Sequence, residues 1–185
     1  MKSGLLRSII PATLLASSLT PLASGAAHGA GMNGNVVSAT QNVKGYRLTL
    51  DIGPLEKMYT QADYKRLHPK HGEVMLRGTM SMGEMGMKAP NHHLELHVYD
   101  LKHRRVVGDA MVSISYRQIA GSMSSMSSMS QRPTSVPIAV MMGVGAGMSD
   151  VHYGNNVYMA AGTYRVDTRV NSVSATFKVM IGRSM

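Results

Sequence analysis

The last quarter of the chain shows a strict alternation of side chains. Residues 163–170 alternate between apolar or threonine side chains and charged ones, and residues 173–179 alternate between apolar and polar ones. Because successive side chains of a β-strand point to opposite faces, this period of two predicts two half-buried strands. Asn171-Ser172 lies between them and predicts a hairpin turn. A chain with this pattern has to form a sheet that buries one face in a hydrophobic core and exposes the other to solvent.

Further short strands are predicted at residues 46–52, 73–76, 92–100, 110–117, 135–142 and 157–159. Residues 55–67 carry helix formers at helical spacing and predict a short helix or helical turn that ends before Pro69. Short alternating strands at close spacing are typical of a β-sandwich. We therefore expect an all-β fold with a short helical turn and methionine-rich loops.

The first 27 residues have the layout of a secretory signal peptide. Two basic residues precede a short apolar run, and small residues follow, with cleavage expected after Ala26 or Ala27. The alternative is a membrane anchor, but the run is too short, and too interrupted by prolines, for a span of about 20 residues. We expect residues 1–27 to be cleaved and residues 28–185 to form one exported domain that does not itself cross a membrane.

Composition narrows the function classes. The chain has no cysteine, so an oxidising compartment adds no disulfide. The formal charge of +9 falls to +7 when Lys2 and Arg7 leave with the signal, which favours anionic surfaces or acidic partners. Export, one phenylalanine and no tryptophan argue against nucleic acid, which is bound by stacking on aromatic side chains.

Methionine is the over-represented residue, with 18 copies. Met80, Met82, Met85 and Met87 lie in a segment rich in glycine and serine, where a packed core is not expected. Thioether sulfur is a soft ligand that suits Cu(I). The low-complexity Ser/Met loop 121–133 has too little bulk to fold alone. Either segment is a metal-collecting loop or a solvated loop.

The strand at 92–100 has an unusual polar face. His93, Glu95 and His97 are spaced at i, i+2 and i+4, so their side chains share one face about 6.5–7 Å apart. Adjacent members of this set are able to ligate one metal ion, and further ligands have to come from another strand. The alternative is a solvated face of a half-buried strand.

A second group of candidate ligands follows later in the chain. His152 belongs to a segment that contains one glycine and two asparagines, which predicts a turn or a strand end. Met141 and Met142 are adjacent on a predicted strand and therefore face opposite sides, so that only one of them can join a given site. Enzyme signatures such as GxSxG, HExxH or a P-loop are absent, and we expect no catalytic activity.

The segments NHHLELHVYD and VPIAVMMGVGAGMSDVHYGNNVYMAAGTYRV resemble the bacterial periplasmic ferrous-iron transport protein family. The resemblance covers roughly residues 90–180. It implies an immunoglobulin-like β-sandwich, a homodimer, and a copper site near an acidic, iron-related site. It also implies an inner-membrane iron permease as the partner.

By the same resemblance, His93, Glu95 and His152 are metal ligands, and a methionine on the preceding strand is another. Met142 is the first choice and Met141 the second. His97, which lacks a clear equivalent in the family, and the methionines of the loop at 80–87, by which the chain departs from the family, are additional candidates from the residues themselves. The family's further histidine has no counterpart, because no histidine follows His152.

Three functions follow as hypotheses. The first is a periplasmic protein of high-affinity iron uptake that binds copper, iron or both and delivers iron to the permease. The second is a periplasmic copper chaperone or sequestration protein without an iron role. The third is a structural or adhesive sandwich domain, which predicts no metal stoichiometry.

Overall fold

Twelve β-strands and one α-helix make up the described part of the chain, residues 36–79, 88–121 and 132–182 of a computed structural model. The strands, in chain order, are β1 Val37–Val43, β2 Tyr46–Pro54, β3 Met58–Thr60, β4 Glu73–Gly78, β5 His92–Asp100, β6 Arg105–Val106, β7 Val112–Gly121, β8 Thr134–Val136, β9 Ala139–Gly143, β10 His152–Val157, β11 Gly162–Val170 and β12 Val173–Ile181. The helix is α1, Gln61–Leu67, and a 3₁₀ turn spans Gly147–Asp150.

The strands form two sheets, and the prediction of an all-β sandwich is confirmed. The larger sheet has the order β1-β2-β5-β10-β9-β4-β3, with β6 added to β5, and the smaller sheet has the order β12-β11-β7-β8. Only the β3–β4 pair is parallel among the strand pairs of the described residues. The immunoglobulin-like topology implied by the resemblance stays a prediction.

The hydrophobic core lies between the two sheets. Strands β2 and β5 of the larger sheet contribute leucines such as Leu50 and Leu96, which are 0% exposed. The β11–β12 hairpin supplies the opposing layer with alternate residues such as Val166 and Phe177. Its predicted turn is present, and Asn171 adopts a left-handed φ of 53°, which asparagine tolerates better than most residues.

The predicted helix at 55–67 is shorter in the structure. Residues 58–60 are extended and pair with β4, so the helix begins only after Thr60. The Thr60 hydroxyl accepts a hydrogen bond from the Asp63 backbone N–H at 3.0 Å, which is the geometry of an N-cap. His68 closes the helix in the left-handed region with φ 44°. Strand pairing therefore overrides helix propensity in the first half of the segment.

Three segments differ from the strand predictions. Residues 37–43, where no strand is predicted, form an edge strand on β2. Residues 135–142 are divided between β8 and β9, which lie in different sheets. The strand predicted at 157–159 lies instead at His152–Val157, in the middle of the larger sheet. The side-chain pattern of one short segment does not show which of several neighbouring segments will pair with strands on both sides.

The larger sheet curls around one of its faces. Strands β2 and β3 are five strand spacings apart in the sheet order, about 24 Å if the sheet were flat. Only residues 55–57 connect them, and a four-step extended connection reaches about 14 Å at most. The sheet therefore bends until β3 approaches β2. The connection crosses the face opposite the core, since Glu56 contacts the Asn156 side chain on β10.

Candidate metal centre

The polar face of β5 is on the side of the larger sheet away from the core. Leu94, Leu96 and Val98 are buried in the core between the sheets. His93, Glu95 and His97 therefore point to the concave face described above. His93 is 0% exposed, so this face is not a solvated one at that end.

Strand β10 brings a second histidine to the same face. His152 pairs in register with His97, and Asn156 pairs with His93. Cross-strand partners share a face, so His152 lies beside the β5 histidines, and its ring centroid is 6.1 Å from that of His93 and 5.1 Å from that of His97. Of the two expectations for His152, a loop or a strand end, the structure has the second: it is the first residue of a central strand and is 0% exposed.

Strand β4 completes the group with a carboxylate. Glu73 is buried, and its Oε2 lies 3.4 Å from His152 Nε2. Glu95 Oε1 lies 3.8 Å from His93 Nε2. Glu73, His93, Glu95 and His152, called here the four-residue cluster, each offer a ligand atom, and these atoms all lie within 4.8 Å of one another.

Three of these atoms are buried without a hydrogen-bond partner among the described residues. They are Glu73 Oε2, His93 Nε2 and His152 Nε2. A buried polar atom that makes no hydrogen bond costs about 1–3 kcal/mol, so three converging ones need an explanation. A cation held between them supplies the missing interaction to all three. The cluster therefore fits a metal ion by the chemistry of its donors and by the missing hydrogen bonds of three of them.

Hydrogen bonds behind the rings aim both histidines at the cluster. Asn156 Nδ2 donates to the Glu56 carbonyl at 2.8 Å, which leaves Asn156 Oδ1 as an acceptor for His93 Nδ1–H at 2.8 Å. His152 Nδ1–H donates to the Asp150 carbonyl at 2.8 Å. In the neutral rings the lone pair is then on Nε2, which faces the cluster. Such partners commonly fix the tautomer of metal-ligating histidines.

The electrostatics of the two histidines differ. Burial lowers the pKa of His93, so its ring is neutral at pH 7. Burial also opposes charge on His152, but the Glu73 and Glu95 carboxylates and the Asp150 carbonyl outweigh it and raise its pKa to about 9. Burial would raise the pKa of Glu95, yet its hydrogen bond from His97 and the nearby histidines lower it to about 2. A proton on His152 thus neutralises the carboxylates when no metal ion does.

The cluster has an open end around His97. His97 Nε2 lies 3.1 Å from Glu95 Oε2 and 3.6 Å from Asp51 Oδ2, and these three side chains are 23–28% exposed. His97 also forms a second group of close ligand atoms with Asp150 and His152. Burial raises the pKa of Asp51. The expected additional ligand His97 is thus adjacent to the cluster, at its solvent side.

The two adjacent methionines are separated by the sheet. Met141 pairs in register with His152 and is 0% exposed, so it lies on the face of the cluster. Met142 packs against the hydrophobic core on the other face. The preference for Met142 as a ligand is therefore reversed in favour of Met141. Met75 pairs with Met141 on the next strand and shares its face.

Several predicted features lie outside the described residues. They are the signal peptide at 1–27, the candidate ligands Met80, Met82, Met85 and Met87, and positions 122–131 of the Ser/Met loop. Within the described part of the chain, no helix is long and apolar enough to span a membrane.

Sequence reasoning missed Glu73, Asp51 and Asn156. Glu73 begins a short strand and Asp51 interrupts an apolar one, so each looks like an ordinary strand-end or surface carboxylate. The only available signal was alternation along β2, which puts Asp51 on the face that does not carry Leu48 and Leu50. Asp51 pairs with Glu95, which has the same relation to the leucines of β5. The pairing that brings Glu73 near His152, through β9, was not readable from spacing.

No protein-family model matches the chain, and no curated protein matches it.

Proposed function

We propose that the protein is a periplasmic metal-binding protein of high-affinity iron uptake. The observation that carries the metal site is the convergence of three buried atoms without hydrogen-bond partners, Glu73 Oε2, His93 Nε2 and His152 Nε2. Hydrogen bonds at Nδ1 turn Nε2 of both histidine rings toward the cluster. A structural or adhesive domain has no use for buried polar atoms in this state.

The donor set favours copper or iron. Two imidazoles suit copper and iron, and the carboxylates of Glu73 and Glu95 accommodate iron and the oxidised form of copper. Met141 on the adjacent strand adds a soft donor to the same face. In the family that the sequence resembles, a further histidine ligand follows later in the chain, and this sequence has no histidine after His152. Glu73 would take that ligand position. A bound copper ion would supply one-electron redox chemistry.

The iron-uptake role rests on the family resemblance. The HLE segment at 93–95 and the HYGNN segment at 152–156 carry that resemblance, and their histidines meet in one cluster. With a cleaved signal peptide the protein would act in the periplasm and deliver iron to an inner-membrane permease, as a monomer or a homodimer.

The binding site is tested by anaerobic titration of the purified protein with Cu(I), Cu(II) and Fe(II). We expect one ion per chain and a loss of affinity of about 100-fold or more in His93→Gln and His152→Gln, since each removes a ligand. His92→Gln is the matched control, because His92 is the neighbouring residue and its Nδ1 contacts Asn91 instead. The site is refuted if no ion binds, or if His92→Gln and His93→Gln lose affinity equally.

The transport role is tested separately in cells. Deleting the gene should lower uptake of radioactive iron at limiting iron, and the wild-type chain, but not His93→Gln, should restore it. Normal iron uptake after deletion would refute the iron role and leave the binding site standing.

A copper chaperone without an iron role is the second candidate. The observation that favours it is Met141, a fully buried thioether beside His152, which suits Cu(I). It predicts tight Cu(I) binding without Fe(II) binding, and copper-sensitive growth after deletion with unchanged iron uptake.

A further inference from the structure

Exposed positive charge is concentrated at one end of the larger sheet. The β1–β2 turn, Lys44 and Gly45, and the β5–β6 turn, residues 101–104, lie side by side there. The Leu101 backbone N–H donates to the Gly45 carbonyl at 2.9 Å and joins them. We call these two turns, with the flanking Arg47 and Arg105, the basic tip.

The basic tip carries five exposed side chains that are cationic at neutral pH. They are Lys44, Arg47, Lys102, Arg104 and Arg105. Asp100 is the only acidic residue between positions 96 and 108, and none occurs between 40 and 50. The Asp100 carboxylate accepts hydrogen bonds from the backbone N–H groups of Lys102 and His103 at 2.9 and 3.0 Å. The one negative charge is thus used to shape the turn.

The tip is held in a defined shape. His103 Nδ1 lies 2.6 Å from Asp100 Oδ2, and these hydrogen bonds hold the pKa of Asp100 below its usual range. The Arg47 guanidinium stacks 4.6 Å from the centre of the Tyr99 ring. Ordered positive groups lose less conformational entropy when they meet a negatively charged surface.

An apolar side chain lies among these charges. Leu101 begins the β5–β6 turn and is 41% exposed, although its strand neighbours Leu96 and Val98 are fully buried. An exposed leucine is ordinary by itself. An exposed leucine in a turn that also carries exposed cations suits a bilayer surface, where lipid phosphates lie above the acyl chains.

We propose that the basic tip docks the protein on membrane surfaces that contain anionic phospholipids. The tip carries five exposed cations and one exposed leucine, and its one carboxylate, that of Asp100, is engaged by the backbone and the histidine of its own turn. A site for a free phosphate needs several donors around one buried point, whereas the cations of the two turns are all exposed. Docking through this end would leave His97, at the open end of the metal site, four residues away along β5, about 13 Å from the turn.

The test is co-sedimentation of the purified protein with vesicles of phosphatidylcholine alone or with phosphatidylglycerol. We expect binding only to the anionic vesicles, and a decrease as salt is raised. The tip variant Lys44→Asn, Lys102→Gln, Arg104→Asn should partition roughly 100-fold less strongly, since each cation near such a surface adds about a factor of five. Asparagine is chosen at 44 and 104 because both positions have left-handed φ, 45° and 52°.

The matched control removes three charges elsewhere, by Lys65→Gln, Lys70→Gln and Lys178→Gln at exposed positions. We expect it to retain most of the binding. Both variants should keep the metal affinity of the wild type, so this test and that of the metal site fail independently. Equal loss in both variants would overturn the proposal in favour of general attraction. Absence of vesicle binding, with tip-dependent retention on an acidic polypeptide, would overturn it in favour of a protein partner.

Discussion

Strand β5 builds two faces from nine consecutive residues, and each face contains a fully buried side chain. On one face, Leu94, Leu96 and Val98 are covered by the smaller sheet. On the other, His93 is equally buried, under the curl of its own sheet and the connection that carries Glu56. Burial of the leucines stabilises the fold directly, because apolar surface leaves water.

Burial of the polar face of β5 destabilises the fold instead. The carboxylates and imidazoles lose hydration, and three of their atoms gain no hydrogen bond from the described residues. A protein that keeps such a face has to recover the cost elsewhere or from a bound ion. The apolar face of β5 therefore stabilises the fold, whereas the polar face is held in place by the fold at a cost in stability. The following substitutions test this difference between the two faces.

The largest effect is expected on the apolar face. Leu96→Ala removes a fully buried side chain and should lower the free energy of unfolding by about 2–5 kcal/mol. Urea unfolding followed by circular dichroism measures it. Metal affinity at low temperature, where the variant is folded, should be within a few-fold of the wild type. A large loss of affinity with little loss of stability would erase the distinction between the faces.

The positioning of His93 comes next. Asn156→Ala removes the acceptor of the His93 Nδ1–H and should weaken metal binding by about 10–100-fold, the usual cost of losing such a partner. Asn156→Asp keeps an acceptor at that position and should restore much of the affinity. Exposed Asn42→Ala is the control. If Asn156→Ala binds metal normally, the ring needs no outside support and the tautomer argument is wrong.

Proton competition gives the third effect. The pKa of His152 is raised from 6.5 to about 9, so its proton stabilises the metal-free fold fully below pH 6.5, and this contribution is lost as pH rises through 9. A metal ion has to displace that proton. Apparent affinity should therefore rise about tenfold per pH unit between 7 and 9, with one proton released per ion. Titrations in buffers of different ionisation enthalpy count the protons, and a value of zero would contradict the assignment.

The alternation of side chains made the two-sheet fold predictable from sequence, and it placed His93, Glu95 and His97 on one face. The sequence did not reveal that this face is buried, because the curl depends on a three-residue connection between β2 and β3. Glu73 was missed because its proximity to His152 comes from the order of the strands β10, β9 and β4, which a local sequence pattern does not encode.

The choice between Met141 and Met142 as a ligand depends on the register of strand pairing. Two adjacent residues have to face opposite ways, and only the pairing of β9 with β10 tells which faces the cluster. Residues 152–156, where a turn or a strand end is predicted, form a strand because β5 and β9 flank them on both sides. Glycine and asparagine are poor strand formers, and tertiary pairing overrode that preference.

The methionine pair supplies the fourth test. Met141→Leu and Met142→Leu are close in volume to the wild type and should each cost less than about 1.5 kcal/mol in stability. Cu(I) affinity should fall about tenfold in Met141→Leu only, because that thioether is on the face of His152 and Cu(I) favours soft donors. Competition with a Cu(I)-specific chelator measures the difference. A loss confined to Met142→Leu would mean that the register of β9 is shifted by one residue.

The smallest effect on binding is expected at the open end, where the polar face of β5 meets solvent. His97→Ala removes a partly exposed pair with Glu95 and should change metal affinity at pH 7 by less than about fivefold. Its effect should appear in acid. The hydrogen bond from His97 helps lower the pKa of Glu95 from 4.5 to about 2, so that contribution to stability is present above pH 4.5 and is lost as pH falls through 2. His97→Ala should therefore unfold at a higher pH than the wild type, and an unchanged acid midpoint would show that the histidines of the buried end suffice to keep Glu95 ionised.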